Sequence, residues 1–371
     1  MSSEKTPFSL PSSSFKSKKL WRLDGPYVLL DQKKMLNFTS QDYLNISQHH
    51  ELKKEAIRFL LEYGVGHSSS VAHFSYLHCQ KIIEKQLASL FCQETAHLFN
   101  SFPNVASALL KALITENAVL IVDEEISSSL LKDGYLKKNK ILFFAHNNLL
   151  DLQHKLQKHK SRDLFVFTQS LFNNTGELGL LKEISELCQK YEAFFIVDDS
   201  LSFGLLGKQG RGCTASIKGI DLVFGYFEPL FGTLGSYFCT SLAVKNHLLQ
   251  VDPVLFDFSL PPCVLGSIQA GLQLLPFLEE AREHLQTSAS FLRNKIIHLN
   301  FLTRSTSHLI PLSFSSAEEA FMHHENLLKM HIVTGLSDCG KKMMIHLNAQ
   351  HQSEHIKKLT QALSWTAKLN H

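Results

Sequence analysis

The chain has 371 residues and a formal charge of +3, from 37 lysines and arginines against 34 aspartates and glutamates. Hydrophobic residues make up 44% and charged residues 19%, enough for a large core and unlike a disordered polyelectrolyte. The small basic excess argues against a nucleic-acid binder, and seven scattered cysteines without a Cys-x-x-Cys pair argue for reduced thiols in a cytoplasmic protein.

Residues 1–19 are rich in serine and lysine and have no apolar core, so a disordered tail is expected there rather than a secretory signal. An N-terminal segment, 20–62, precedes a large α/β domain expected over 63–252. Residues 77–91 place Leu77, Ile83, Leu87, Leu90 and Phe91 on one helical face. The runs VLIVD (119–123), ILFF (141–144), LFVFT (164–168), FFIVD (194–198) and LVFGY (222–226) lack polar alternation, as strands covered on both faces do. Between 164–168 and 194–198, residues 180–191 carry Leu181, Ile184, Leu187, Cys188 and Tyr191 at helical spacing. This alternation predicts a mostly parallel sheet with ligands at the carboxyl ends of its strands, where Asp123 and Asp198 stand. Residues 223–244 contain one charge, Glu228, and no lysine. That length would suit a membrane span, but three glycines and Pro229 favour two buried strands joined by a turn, and no span is expected. A linker helix, 263–299, and a small α+β C-terminal domain are expected within 253–371, with strands near 307–314 and 342–349.

Residues 182–212, KEISELCQKYEAFFIVDDSLSFGLLGKQGRG, resemble the signature of the α-oxoamine synthases, which use pyridoxal phosphate (PLP) to condense an amino acid with an acyl-CoA. The family includes 8-amino-7-oxononanoate synthase, glycine C-acetyltransferase and serine palmitoyltransferase. NFTSQDYLNIS (37–47), YGVG (63–66), FAHNNLLDLQHKL (144–156), FNNTGELGLL (172–181), FDFSLPP (256–262) and MIHLNAQHQSEHIKKL (344–359) resemble further family segments in order. The resemblance implies the fold type I, aspartate aminotransferase-like architecture, with a homodimer whose sites lie at the interface.

It also implies a set of site positions. Asp198 matches the carboxylate that holds the pyridine nitrogen. Pro229 stands at the Schiff-base lysine, and proline carries no amine; the flanking lysines are Lys218 and Lys245. Leu201 stands at a cofactor-contacting histidine, and the ring-covering histidine falls within Ser127, Ser128 and Ser129. Ser101, Phe102 and Ser202 stand at vestigial cofactor contacts, with Phe102 in place of a glycine and Pro103 removing one N–H from the phosphate loop. Met344 stands at the arginine that binds the substrate carboxylate, losing a bidentate partner. Asn173 replaces a serine, and Asn147 and Asn148 follow His146. The expectation is a degenerate, non-catalytic scaffold or partner subunit, as a homodimer or as a heterodimer with a catalytic paralogue. PLP is implied by resemblance, without a covalent link. Two alternatives stand beside it. One is an active PLP-dependent C-acyltransferase such as 8-amino-7-oxononanoate synthase, with Asp199, Glu228 or a histidine of His67, His73 and His78 as its base. The other is a binder of an acyl thioester or lipid in a cleft made apolar by Leu201, Met344 and Phe102. No metal is expected: His346, His351 and His355 lack a zinc-site pattern, and His351 is expected to begin a surface helix.

Overall fold

Five strands buried on both faces set the frame of the molecule. The computed structural model describes residues 20–22, 25–66, 76–100, 105–126, 140–251, 259–337 and 339–369. Strands β1 (Leu20–Arg22), β2 (Tyr27–Leu30) and β3 (Lys33–Asn37) precede helices α1 (His50–Tyr63) and α2 (His78–Leu90). There follow β4 (Thr95–Phe99), α3 (Val105–Leu113), β5 (Val119–Asp123), β6 (Lys140–Phe144), α4 (Leu149–Lys158), β7 (Leu164–Gln169), α5 (Leu181–Lys190), β8 (Phe194–Asp198), β9 (Leu222–Tyr226), α6 (Glu228–Phe231), β10 (Ser236–Thr240) and α7 (Leu242–Val251). The chain continues through α8 (Pro262–Leu274), α9 (Glu279–His298), β11 (Leu309–Ser313), α10 (Ala317–Lys329), β12 (Ile332–Val333), β13 (Gly335–Leu336), β14 (Lys342–His346) and α11 (Ser353–Leu369).

Seven strands form the large sheet in the order β4-β10-β9-β8-β7-β5-β6. β10 alone runs against its neighbours; β9, β8, β7, β5 and β6 are parallel. Successive residues enter different cores, as the two-residue period of a strand requires. Val119, Ile121, Val166, Phe195, Val197 and Val223 join one core, while Leu120, Val122, Phe167, Ile196, Leu222 and Phe224 join the other, beneath α3 and α7. This explains why β5, β7, β8 and β9 show no polar alternation; β6 is an edge strand whose Phe143 is 52% exposed, so 141–144 is not covered on both faces as expected.

The expected helix over 263–299 is two helices. Pro276 lacks the N–H that an unbroken helix would use, and a short 3-10 turn at Leu275–Phe277 separates α8 from α9. β4 is an edge strand not anticipated from the sequence. The strand expected at 342–349 ends at His346.

The N-terminal segment is stitched to the C-terminal part of the chain. β3 pairs in parallel with β12, His346 N donates to Phe38 O at 2.8 Å, and Ala349 N donates to Tyr43 O at 2.7 Å. His351 is fully buried rather than at the start of a surface helix; α11 begins two residues later, at Ser353. Its ring stacks on Phe38 at 4.3 Å between centroids, accepts from Asn348 N and donates to Asn37 O, so Nε2 carries the proton.

Candidate functional site at the carboxyl ends of the parallel strands

Gln169 ends β7, Asp198 ends β8 and Tyr226 ends β9. Gln169 pairs with Asp198, and Asp198 pairs with Phe224, two residues before Tyr226. Strand alternation therefore puts all three on the α3 and α7 face of the sheet. Asp198 is buried and its carboxylate is well supplied with donors. Gln169 Nε2 donates to Oδ2 at 2.9 Å; Ser200 N donates to Oδ1 at 3.0 Å, and Ser200 Oγ donates to the same oxygen. Burial pushes the Asp198 carboxyl above its usual range, against the pull of these bonds. Among the described residues, no lysine or arginine bonds to Asp198. Burial and the nearby Asp198 carboxylate push the Tyr226 phenol up.

Asp199 turns to a second buried group. It accepts from Ser202 Oγ and from Thr214 Oγ1 at 2.8 Å, and burial raises its carboxyl to about 6. Ser202 Oγ also accepts from Cys213 N at 2.9 Å, so Ser202 supports the loop after β8 and makes no bond to Asp198. Leu201 is buried in the main core. Pro229 lies buried in the first turn of α6, where its missing N–H costs nothing. Leu230 and Phe231 of the same turn are buried with it, and Phe227 stacks on Phe231 at 5.8 Å and meets Tyr237 at 5.1 Å. The Tyr237 hydroxyl, packed against Gly225, is buried without a hydrogen-bond partner.

Lys245, which closes the lysine-free stretch, is spent elsewhere. Its Nζ donates to Ala96 O at 2.5 Å and lies 3.5 Å from Glu84, beside edge strand β4. Met344 is buried on β14, opposite Pro311, two residues before His346. At the end of β5, Asp123 accepts from Asn147 N at 3.2 Å and contacts His146 Nδ1 at 2.8 Å. Burial pulls His146 down, but Asp123 and Glu177 outweigh it and hold the imidazole above its ordinary value. Asn148 caps α4, so Asn147 and Asn148 serve the backbone here. Ser101, Phe102, Pro103, Ser127, Ser128, Ser129, His67 and His73 lie outside the described residues; His78 is exposed at the start of α2.

Ser200 carries a role that sequence reasoning missed: it donates twice to Asp198. The available signal was a hydroxyl residue just past a strand's carboxyl end.

The family model for class I and II aminotransferases matches residues 33–363. The chain belongs to the class I and II aminotransferase family. It is 31% identical over 309 residues to 8-amino-7-oxononanoate synthase of Gluconacetobacter diazotrophicus, covering 80% of this chain and 78% of that protein. Its identity to the Alkaliphilus metalliredigens 8-amino-7-oxononanoate synthase is 29% over 323 residues, 84% of this chain and 82% of that one. Among solved structures, the Sphingomonas wittichii serine palmitoyltransferase superposes with a TM-score of 0.87 at 19% identity, covering 95% of this chain and 92% of that chain. The Francisella tularensis 8-amino-7-oxononanoate synthase gives 0.80 at 22% identity, covering 91% and 98%. The fold is therefore that of fold type I PLP-dependent transferases, with a large sheet of mostly parallel strands and helices on both faces. Among the described residues, no helix is long and apolar enough to cross a membrane.

Proposed function

We propose that this aminotransferase-family chain is a catalytically degenerate homologue of the α-oxoamine synthases, serving as a non-catalytic partner or scaffold in a dimer. The observation that carries the reading is Pro229. It stands in the family's lysine position, within a stretch that has no lysine between Lys218 and Lys245. It also fits its backbone as a first-turn proline inside an apolar cluster. A lysine-linked cofactor needs an amine here and a carboxylate with acceptor capacity turned to the ring. The residues do not fit such a link: Pro229 offers no amine, and the donors on Asp198 come from the chain itself. Leu201 and Met344, at the family's histidine and arginine positions, support the same reading, because neither can hold a proton or a carboxylate.

The partner is either a second copy or a catalytic paralogue, and the exposed stripe of α1 supports such a contact: Ile57 and Leu61, one turn apart, are 58% and 82% exposed. The reading is tested by assaying the purified protein with alanine, glycine or serine and a series of acyl thioesters, in the presence of PLP. No turnover is expected in any combination. Turnover in one of them would replace this reading with the active C-acyltransferase suggested by the names of the curated relatives.

A further inference from the structure

We propose that the hairpin of residues 171–178 clasps the three-stranded sheet to the large one, and that a proton on His146 tightens this clasp while neutral His146 slackens it. The inference does not depend on whether the chain is catalytic.

The hairpin follows β7 and is closed by the Leu171–Leu178 bridge and by Phe172 N, which donates to Glu177 O at 3.0 Å. One side of it meets β14 and the segment leading into β11. Thr306 N donates to Gly176 O at 3.0 Å, Ser307 Oγ donates to the same oxygen at 2.8 Å, and Lys342 Nζ donates to Asn174 O at 2.9 Å. The approach is close: a Cβ on Gly176, whose φ is +71°, would lie 2.2 Å from Leu309 O. The other side meets the turn after β6. Asn147 Nδ2 donates to Leu178 O at 3.0 Å, and Leu180 N donates to Asn147 Oδ1 at 3.2 Å. Glu177 spans both sides. Its Oε2 lies 2.8 Å from Arg304 Nη2 and 3.4 Å from His146 Nε2.

His146 has two hydrogen-bonding states in this frame. The Asp123 carboxylate only accepts, and its Oδ1 lies 2.8 Å from Nδ1, so Nδ1 carries a proton in both states. In the neutral ring Nε2 is a lone pair. The Asn147 amide, 3.2 Å away, gives it the proton that Leu178 O does not use. In the cation Nε2–H is a donor, repelled by the Asn147 amide and attracted by the Glu177 carboxylate. The added proton therefore moves the Nε2 bond from Asn147 to Glu177, the residue that also holds Arg304.

The charges around the ring favour the cation. Asp123 ends β5, Glu124 Oε1 accepts from His146 N at 3.0 Å, and Glu177 approaches from the hairpin. Against them stands Arg304, which is shared with Glu125 at 3.5 Å. Phe172 covers the ring edge-on at 4.4 Å and brings no charge. Burial pulls the imidazole down most, yet Asp123 and Glu177 together hold it above its ordinary value. A base raised on folding stabilises below its unfolded value near 6.5, and that advantage is lost as the pH rises through the folded value. The clasp therefore holds best in mild acid and slackens in base.

Two measurements on the full-length protein test this. In a histidine NMR titration, the His146 signal is assigned by its loss in His146→Asn. Its midpoint should fall by about 1 unit in Glu177→Gln and rise in Arg304→Ala. Hydrogen exchange is then followed in a peptide spanning 303–309 and corrected for the intrinsic rate. Protection in wild type should fall by up to about tenfold between about pH 6 and about pH 8.5, because each unit by which the midpoint is raised is worth tenfold. That direction is opposite to a general loss of stability in acid. In His146→Asn and Glu177→Gln this fall should disappear. A midpoint that does not fall in Glu177→Gln, wild-type protection that does not fall with rising pH, or a fall that persists in the variants overturns the inference. Should His146→Asn not fold, the signal is assigned by backbone correlation and Glu177→Gln carries both readouts.

Discussion

Lowering the pH should loosen the seam between the N-terminal segment and the C-terminal strands, because that seam buries neutral imidazoles. Burial pulls His308 down to about 3, with help from His346 and Arg293, and His346 down to about 4. Burial likewise pulls His351 down to about 3, with smaller effects from His355 and His284. Tyr43 packs edge-on against His308 at 4.5 Å, and the ring nitrogens of His308 and His346 have no hydrogen-bond partners among the described residues. In the unfolded chain these groups titrate near 6.5. A base with a depressed folded pKa favours folding fully above 6.5, and that advantage fades as the pH falls toward the folded value. At pH 5 all three stay neutral when folded but are protonated when unfolded. Each then costs about 1.5 units × 1.4 kcal/mol, roughly 2 kcal/mol, or about 6 kcal/mol together as an upper bound. His146, raised by Asp123, and Asp199, whose buried carboxyl is raised to about 6, act with the opposite sign and offset part of this. Urea melts at pH 8 and pH 5 measure the difference. His346→Leu removes one titrating group that makes no hydrogen bond, so the gap between the two pH values should shrink by about 2 kcal/mol. An unchanged gap in that variant, or equal stability of wild type at both pH values, would refute the reasoning.

Three further outcomes follow from the packing. Glu84 is buried among His97, Lys245 and Lys81, which together hold it well below the usual carboxylate range despite its burial. Glu84→Gln strands a buried ammonium and should cost about 3–5 kcal/mol in a denaturant melt. A Cβ on Gly225 would meet the Tyr237 hydroxyl at 2.6 Å. Gly225→Ala should therefore lose about 1–3 kcal/mol, and Tyr237→Phe, which removes only an unpartnered hydroxyl, should be near neutral alone and recover part of that loss in the double variant.

The inner parallel strands are legible in the sequence because both faces are buried, which leaves unbroken apolar runs such as VLIVD and FFIVD. Asp198 is legible as well, because it sits at a strand end inside a matched motif. Its bond from Gln169 is not, since it depends on β7 and β8 being neighbours and on the shared face of their last residues. The burial of His351 is hidden for the same reason: its partners, Asn37 and Phe38, lie more than three hundred positions earlier. The break at Pro276 was within reach, because a proline inside an apolar run ends or kinks a helix.

The central claim is that the position of the cofactor lysine holds no amine. Incubating the purified protein with PLP, reducing with borohydride and mapping the chain by mass spectrometry tests it most directly. The account predicts no pyridoxyl adduct at any site in the strand-end cleft. A stoichiometric adduct on a lysine of that cleft, with the matching aldimine absorbance before reduction, would contradict it.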